Sequence, residues 1–369
     1  MRTDPAASAA GNPDDYRRFG LDPRSIEPWE DGARTENRPG TYEWWYFDAH
    51  LDDGSKLVVV FQNKDAVSPN RPLSPLLRIN LDLPDGRTIE KLQSLPADSW
   101  SAATDHCDVR VGADRFEGDL HTYRITAAVD EVAIEVTLTG DIPPWRPGTG
   151  HLVFGADRAD VFAWLPSVPQ GTVTGTLTLD GATRAISGVG YHDHNWGNVP
   201  LPSIVHDWYW ARGQAGPYSV IASYITAVEK LGFQAIPVFM LARDGEIVAD
   251  DASRVRFETD DVFTDGVTGK PVASVVRYTY ADGDDEIVVE FTRERDLVRA
   301  RMADELSPVK RLLARLARFD GAYLRFAGPI TVTVRRGGAL VERHGDEAIW
   351  ELMYFGRARA IPVQGATSA

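Results

Sequence analysis

The sequence contains a single cysteine, Cys107, among its 369 residues. One thiol cannot form a disulfide within the chain, and it supplies too few ligands for a zinc-ribbon or an iron–sulfur site. Its neighbours Asp105 and Asp108 are acidic and disfavour a thiolate, which indicates a structural cysteine. Such low cysteine usage fits a reducing compartment, and we expect a cytoplasmic protein.

Positive charge is also scarce, because 39 Lys and Arg face 54 Asp and Glu, for a net charge of −15. A chain this acidic lacks the broad basic surface that binds phosphate backbones, so we expect no nucleic-acid partner. Apolar runs such as residues 57–61 and 235–242 are far shorter than the roughly 20 residues that span a bilayer. The first residues show no apolar core of a secretory signal, and we interpret residues 1–40 as a mobile N-terminal tail.

Several catalytic motifs are missing from the chain. There is no Gly-x-Ser-x-Gly elbow and no Gly-x-x-x-x-Gly-Lys-Ser/Thr loop, and the pair Gly188 and Gly190 lacks the third glycine of a dinucleotide fingerprint. We therefore expect chemistry without a nucleotide or any other cofactor.

Aspartate–glycine pairs recur between segments rich in Val, Ile, Leu and Thr, and such pairs are a strong hairpin signal. They are Asp53–Gly54, Asp85–Gly86, Asp180–Gly181, Asp244–Gly245 and Asp282–Gly283. Residues 172–179 and 286–291 alternate apolar and polar side chains, as half-buried strands do. These patterns predict a mainly β, antiparallel protein.

Helical periodicity is confined to residues 308–319, where one late amphipathic helix is predicted. Its apolar face carries Val309, Leu312, Leu313 and Leu316, and its basic face carries Lys310, Arg311, Arg315 and Arg318. A basic amphipathic helix can contact an anionic membrane surface peripherally, but a helix that flanks a barrel has the same pattern. Both interpretations stay open.

An acid–aromatic motif occurs twice, as Glu43-Trp44-Trp45-Tyr46 and as Asp207-Trp208-Tyr209-Trp210. Each copy leads into a strand pattern, which predicts two similar β halves. We place an N-terminal domain at residues 41–190, a C-terminal domain at residues 191–360 and a tail at residues 361–369. The oligomeric state stays open.

The densest polar segment is Tyr191-His192-Asp193-His194-Asn195, followed by Trp196. A strand that only packs against a core would not place five hydrogen-bonding side chains in a row. In an extended strand, Tyr191, Asp193 and Asn195 share one face, and His192 and His194 share the other with Trp196.

Residues 188–197 read Gly-Val-Gly-Tyr-His-Asp-His-Asn-Trp-Gly and resemble the hallmark of the hydroxyneurosporene synthase (carotenoid 1,2-hydratase) family. Three further stretches are similar to that family: Tyr42-Glu43-Trp44-Trp45-Tyr46-Phe47-Asp48, Phe162-Ala163-Trp164-Leu165-Pro166 and Trp208-Tyr209-Trp210-Ala211-Arg212. The resemblance implies two lipocalin-like β-barrel domains in tandem. It also implies either hydration of carotenoid or phenolic prenyl alkenes, or Diels–Alderase-type cyclisation of polyketides, and the fold does not choose between them.

By this resemblance, Asp193 is the acid that protonates an alkene, and a buried carboxyl with a raised pKa can do so near neutral pH. Tyr191 and Asn195 would orient it, and His192 and His194 on the other strand face complete the set of candidate catalytic residues. The resulting cation would be held by aromatic faces. The candidate substrate-binding residues are Trp44, Trp45, Tyr46, Trp196, Trp208 and Trp210 together with Glu43, and only about half of the aromatic side chains can share a face.

Other interpretations of these residues stay open. Glu43 and Asp207 are either further site acids or carboxylates that cap backbone amides, and Asp193 is either the acid or part of a buried structural network. His192, His194 and His206 suit zinc, but no carboxylate or cysteine completes the set, and we predict no metal. The leading hypothesis is a cofactor-free hydratase or cyclase acting on an apolar isoprenoid or polyketide-like substrate; a pericyclase and a non-catalytic carrier are the alternatives.

Overall fold

The computed structural model describes residues 6–305 and 320–359, and these residues form an almost entirely antiparallel β structure. The chain divides into two compact units, one of Ser8–Leu201 and one that begins at Pro202. The predicted late helix with its membrane contact, and the predicted tail at residues 361–369, lie outside the described residues. Within the described ranges, no helix has the length and apolar character needed to cross a membrane.

The N-terminal unit contains one short helix, α1 (Pro13–Phe19), and thirteen strands. The strands are β1 (Ala7–Ala9), β2 (Tyr42–Leu51), β3 (Lys56–Gln62), β4 (Leu76–Asp82), β5 (Thr88–Ser94), β6 (Trp100–Ala102), β7 (Cys107–Val111), β8 (Asp114–Gly118), β9 (Thr122–Val129), β10 (Val132–Gly140), β11 (His151–Phe154), β12 (Asp160–Leu179) and β13 (Ala182–Gly197).

The C-terminal unit repeats this strand-rich organisation. Its strands are β14 (Val205–Ala215), β15 (Tyr218–Ala227), β16 (Ala235–Arg243), β17 (Glu246–Ala249), β18 (Val255–Thr264), β19 (Pro271–Asp282), β20 (Asp285–Thr292), β21 (Arg295–Arg301), β22 (Ala322–Arg336) and β23 (Ala339–Tyr354).

The two units share one sheet topology. The strand order is β5-β4-β3-β2-β13-β12-β10-β9-β8-β7-β6 in the first and β17-β16-β15-β14-β23-β22-β20-β19-β18 in the second. In each unit a long early strand, β2 or β14, pairs with the last strand, β13 or β23. These early strands carry the two acid–aromatic motifs. The prediction of two lipocalin-like antiparallel β-barrels is therefore confirmed.

The aspartate–glycine pairs lie at hairpin turns, as predicted. Asp180 and Gly181 join β12 to β13 with φ of 53° and 79°, and Asp244 and Gly245 join β16 to β17 with φ of 51° and 87°. Two consecutive residues with positive φ match the twist of the flanking strands, and aspartate and glycine tolerate this conformation best. Local turn chemistry thus sets these hairpins.

Each barrel core is built from side chains that alternate along its strands. In the N-terminal unit, Trp45, Phe47 and Ala49 of β2 are fully buried in one apolar cluster, whereas the residues between them belong to the other face of the strand. In the C-terminal unit, Tyr209 of β14 and Trp350 of β23 lie in a second cluster. Each unit therefore has its own hydrophobic core.

Residues 8–40 differ from the predicted tail. Asn12 caps α1 by accepting from two backbone amides, and Asp15 completes the capping box. The 3₁₀ turn Pro28–Asp31 buries its two acidic residues, Glu30 and Asp31. The first unit also extends to Leu201, beyond the expected boundary at residue 190, because β13 pairs with β2 along its whole polar segment.

Candidate active site

Strand β13 places its polar side chains alternately on two faces. Tyr191, Asp193 and Asn195 define what we call the Asp193 face. His192 and His194 define the imidazole face. Side chains of directly paired residues share a face in an antiparallel sheet, so the neighbouring strands β2 and β12 contribute to both faces through their register.

Two hallmark glycines allow the neighbouring strands to approach β13 closely. A Cβ on Gly188 would lie 2.2 Å from the carbonyl oxygen of His50, and one on Gly190 would lie 2.4 Å from Cγ2 of Val173. Neither separation is tolerated by real atoms, so a larger residue would push the strands apart. The glycines of the hallmark are thus explained by packing beside the site.

Asp193 is the centre of a hydrogen-bond network on its face. Its Oδ2 accepts from the Tyr191 hydroxyl at 2.7 Å and from the Trp164 indole N–H at 2.7 Å, and its Oδ1 accepts from Asn195 Nδ2 at 2.7 Å. Trp164 Nε1 also lies 3.2 Å from the Tyr191 hydroxyl. All three donors are neutral, and Asp193 is only 6% exposed.

Burial raises the pKa of Asp193 to about 6, and this rise is limited by the hydrogen bonds from Tyr191 and Trp164, by the charge of His192 and by the hydrogen bond from Asn195. Burial disfavours the ionised carboxylate, while each donated hydrogen bond favours it. Among the described residues, Oδ1 has a single donor, Asn195. This oxygen therefore retains room for a proton or for a hydrogen bond to a ligand.

Two aromatic residues of β2 share the Asp193 face. Tyr46 is paired directly with Asp193, and Trp44 is paired with Asn195. Both are half-buried, and the Tyr46 ring packs edge-on against Tyr191 with centroids 6.2 Å apart. The structure therefore places Trp44 and Tyr46 on the same strand face as Asp193.

Trp164 is a site residue that the chemical analysis of the sequence missed. It is paired with Asn195 across β12 and β13 and is almost fully buried. Its ring packs edge-on against Trp145, with centroids 6.4 Å apart. A signal did exist, because Trp164 belongs to one of the stretches similar to the hydratase family.

On the imidazole face, His192 and His194 are fully buried in the barrel interior. His192 donates from Nδ1 to the carbonyl oxygen of Tyr46 at 2.8 Å, and its Nε2 lies 3.1 Å from Oδ2 of Asp31. The same Asp31 oxygen accepts from the Tyr123 hydroxyl at 2.5 Å. The hallmark histidine thus anchors the 3₁₀ turn to the barrel.

His194 makes a matching contact with Glu43, whose Oε1 lies 2.8 Å from Nε2. Glu43 also accepts from the backbone N–H groups of Arg34 at 2.5 Å and Thr35 at 3.1 Å, and from the Thr35 hydroxyl. Glu43 therefore caps backbone amides, which is one of the two roles considered for it. It lies on the face opposite Asp193.

Asp31 was not identified from the sequence, although it is the common partner of both hallmark histidines. Its Oδ1 lies 3.5 Å from Nδ1 of His194, and neither atom has a hydrogen-bond partner. Burial pushes the pKa of Asp31 upward, but the charge and hydrogen bond of His192, the charge of His194 and the hydrogen bond from Tyr123 outweigh it, so this pKa lies below its ordinary value.

Trp45 and Trp196 lie with the histidines rather than with Asp193. Trp45 is fully buried, stacks on His194 with centroids 4.2 Å apart, and donates to the backbone carbonyl of Asp31 at 3.0 Å. Trp196 is half-buried, and its ring lies 4.7 Å from that of His194. The predicted aromatic set is therefore divided between the two faces.

One group in the barrel interior has the composition of a metal site. The Cys107 thiol, a carboxylate oxygen of Asp31 and a ring nitrogen of His192 lie within 4.8 Å of one another. Each already contacts protein: Cys107 donates to the Phe116 carbonyl at 3.7 Å, and burial followed by the charge of Asp31 raises the pKa of its thiol. A metal would have to displace these contacts.

Other predicted residues belong to the C-terminal unit. Trp208 and Trp210 share one face of β14, and Trp208 donates to Glu351 at 3.2 Å. His206 donates to Asp207 at 2.5 Å, and its other ring nitrogen lies 2.9 Å from the Arg357 carbonyl. Both nitrogens of His206 thus contact its own unit.

Comparison with known proteins places these features in a family. The chain is 26% identical over 277 residues to the quinolone epoxide rearrangement protein asqO of Emericella nidulans, covering 70% of this chain and 74% of that protein. It is 28% identical over 206 residues to a hydroxyneurosporene dehydrogenase of Chlorobaculum tepidum, covering 47% of this chain and 54% of that protein.

The crystal structure of kievitone hydratase from Nectria haematococca shares the fold, with a TM-score of 0.53 and 15% identity over 87% of this chain and 92% of that one. A family model described as Diels-Alderase-like matches residues 37–299. This match covers more than half of the chain and includes both faces of β13. The protein belongs to the Diels-Alderase-like family.

Proposed function

We propose that this protein is a cofactor-free enzyme that acts on a carbon–carbon double bond of an apolar isoprenoid or polyketide-like substrate by acid-initiated hydration or cyclisation. Asp193 is the proton donor, Tyr191 and Asn195 position it, and Trp44 and Tyr46 flank the developing cation. The observation that carries the proposal is a buried carboxyl whose pKa is raised to about 6 and which shares a strand face with these aromatic side chains.

The chemistry balances without a further reactant except water. The proton of the Asp193 carboxyl adds to the less substituted alkene carbon, which leaves a tertiary cation on the other carbon. In hydration, water adds to that cation and returns a proton to the carboxylate; in cyclisation, a second double bond attacks the cation and a later proton loss restores Asp193. A pKa near the working pH suits both halves of such a cycle.

The relatives support this class of reaction. They are named for a Diels–Alder reaction, for rearrangement of a quinolone epoxide and for hydration of kievitone. Each name describes a change to the bonding of a small natural product. Those activities belong to the relatives. We extend to this chain only the shared class, an enzyme that adds to a double bond of an apolar natural product or closes a ring in it.

A second candidate is a pericyclase, and one observation favours it. All three hydrogen bonds at Asp193 are donated to the carboxylate, and with a pKa of about 6 only about a tenth of the molecules carry the acid proton at pH 7. In a pericyclase Asp193 would hold the Tyr191 hydroxyl in place, and the side chains of the Asp193 face would hold a polyene in its reactive conformer.

The test is incubation of the purified protein in deuterium oxide with acyclic carotenoids, prenylated phenols and linear polyenes, followed by mass spectrometry. A product with deuterium on carbon supports the acid mechanism, and addition of heavy water identifies a hydratase. An isomeric product without deuterium on carbon overturns it in favour of the pericyclase. A ligand that binds and is returned unchanged would instead indicate a carrier.

A further inference from the structure

A cleft of about 140 Å³ lies in the N-terminal unit beside the imidazole face. Its walls include the aromatic side chains of Phe19, Trp29 and Trp196, and its polar groups include Glu30, Arg146 and His151. Asp193 does not line it, and Trp196 projects from β13 on the face opposite Asp193. The cleft is therefore a separate feature from the Asp193 network.

His151 presents a hydrogen-bond acceptor in this cleft. Its ring stacks flat on Phe19, with centroids 3.7 Å apart and an interplanar angle of 7°. The Nδ1–H group donates to the Thr149 carbonyl at 2.8 Å, so the lone pair is on Nε2. No described residue hydrogen-bonds to Nε2, although His151 is only 8% exposed.

The charge on His151 is also fixed. Burial lowers the pKa of His151 to about 4, and the charges of Arg146 and Arg18 act in the same direction. The imidazole is therefore neutral at pH 7, and Nε2 accepts a hydrogen bond rather than donating one. A ligand that satisfies it must bring a hydroxyl or N–H donor.

Two arginines, Arg34 and Arg146, and one carboxylate, Glu30, line the cleft. Arg146 Nε lies 3.4 Å from Glu30 Oε2, and both side chains are buried. Arg146 is held further by the backbone carbonyls of Ser25 at 3.2 Å and Asp22 at 2.7 Å. Glu30 thus offsets only one of the two arginine charges, and the requirement on the ligand comes from His151, whose Nε2 needs a hydroxyl or N–H donor.

We propose that this cleft binds a hydroxylated aromatic ring of about the size of phenol, whose hydroxyl donates to Nε2 of His151 and whose ring packs against Trp29 and Trp196. A cavity of about 150 Å³ is known to hold one benzene ring, which matches the space here. The donor requirement comes from the tautomer of His151, and the ring requirement comes from the aromatic walls. This binding site lies outside the proposed chemistry at Asp193.

The first test uses the unaltered protein with phenol and anisole, which differ in whether the oxygen carries a donor hydrogen. Dissociation constants are measured at pH 7 by ligand-observed NMR. One added hydrogen bond corresponds to about five- to tenfold tighter binding of phenol. Equal affinity of the two probes, or no binding of either, overturns the proposal.

A matched pair of substitutions tests the role of His151. In His151→Asn the amide can replace the Nδ1 donor to Thr149 but leaves nothing at Nε2, whereas in His151→Gln the amide reaches the Nε2 position. We expect the preference for phenol to disappear in the first variant and to return in part in the second. The control His121→Asn, at an exposed position, leaves the preference unchanged. If His151→Asn keeps the full preference, Nε2 is not the acceptor.

The same assay distinguishes two sources of the ring. With 4-butylphenol in place of phenol, retained affinity indicates a ring that belongs to a longer molecule, and lost affinity indicates a small free phenol. Either result is compatible with the site, because both require the hydroxyl. The experiment measures binding and not turnover, so its result for the cleft is independent of whether the proposed reaction at Asp193 is correct.

Discussion

The two faces of strand β13 place carboxylates in opposite electrostatic surroundings. On one face Asp193 meets three neutral donors, and burial raises its pKa to about 6. On the other face Asp31 meets two imidazoles and the Tyr123 hydroxyl, and its pKa lies below the ordinary value in spite of complete burial. Adjacent residues of β13 thus have different roles: Asp193 is the proposed reactive carboxyl, and His192 and His194 contact the structural carboxylate of Asp31.

The difference shows that burial alone does not decide the state of a carboxyl. Neutral hydrogen-bond donors offset only part of the cost of burying its charge, whereas an imidazole can carry an opposite charge into the site. Because side chains alternate along β13, the surroundings of Asp193 and those of Asp31 lie on opposite faces of the same strand. Substitutions on either face test this difference.

The largest expected effect is on turnover after Asp193→Asn. The variant has no acid proton to deliver, and positioned proton transfer contributes about 10²- to 10⁴-fold, so we expect a loss of that order. The new amide can turn its oxygen toward Tyr191 and Trp164, and the network is kept when the Asn195 amide flips to accept from the new NH2 group. Turnover in the deuterium oxide assay and the circular dichroism spectrum are the measurements. A folded variant that keeps full activity contradicts the role of Asp193.

Next in size is the effect of Asp31→Asn on stability. Removal of the carboxylate leaves His192, His194 and Tyr123 without their common partner, and each buried polar group left unsatisfied costs about 1–3 kcal/mol. Urea denaturation at pH 7 measures the loss in the free energy of unfolding. Asp141→Asn, at an exposed position, is the control and should change it by less than about 0.5 kcal/mol. Equal stability of the two variants would remove the structural role assigned to Asp31.

A smaller effect concerns the pH dependence of stability. The pKa of Asp193 is raised from 3.8 to about 6, so between these values the folded protein binds a proton that the unfolded chain releases. Stability therefore falls as the pH rises through this window, by at most about 3 kcal/mol at about 1.4 kcal/mol per pKa unit. The decline should be absent in Asp193→Asn. Denaturation midpoints at pH 4, 5, 6 and 7 make the comparison, and identical slopes would contradict it.

The smallest predicted effect is a shift of the pH profile in Trp164→Phe. This change removes one of the donors that favour the ionised carboxylate, and a hydrogen bond to a charged group contributes about 1.5–3 kcal/mol. The pH at which activity declines should therefore move upward by about one unit or more. Trp100→Phe, whose ring lies near Trp45 in the barrel interior, should leave the profile in place. A shift in both variants would point to a general loosening of the barrel.

Much of the fold follows from local sequence. The Asp–Gly pairs require positive φ, and the hairpins form where they stand, as between β16 and β17. The two acid–aromatic motifs lie on β2 and β14, which occupy equivalent places in the two sheets. Residues 8–40 were misjudged because Pro- and Gly-rich segments look the same in a tail and in a loop that packs on a barrel.

Local sequence patterns predict one part of the candidate site, the Asp193 face, but not the pairing of Asp31 with the histidines. Alternation places Asp193 with Tyr191 and Asn195, and the structure has these three in direct contact. Asp31, however, meets His192 across 161 positions of sequence, and no local pattern marks that pairing. Asp31 reaches His192 only through the tertiary packing of its loop, and such packing produces no periodic pattern in the sequence.

The single thiol, Cys107, allows local unfolding of the N-terminal barrel to be measured. Cys107 is enclosed in the N-terminal core, and burial raises the pKa of its thiol, so a thiol reagent reaches it only in molecules whose core has come apart. Because no other cysteine competes, the rate of alkylation depends on how often this one barrel opens and how long it stays open in the unmodified protein. Cys107 is thus an intrinsic probe of local unfolding, and it lies close to Asp31 and His192.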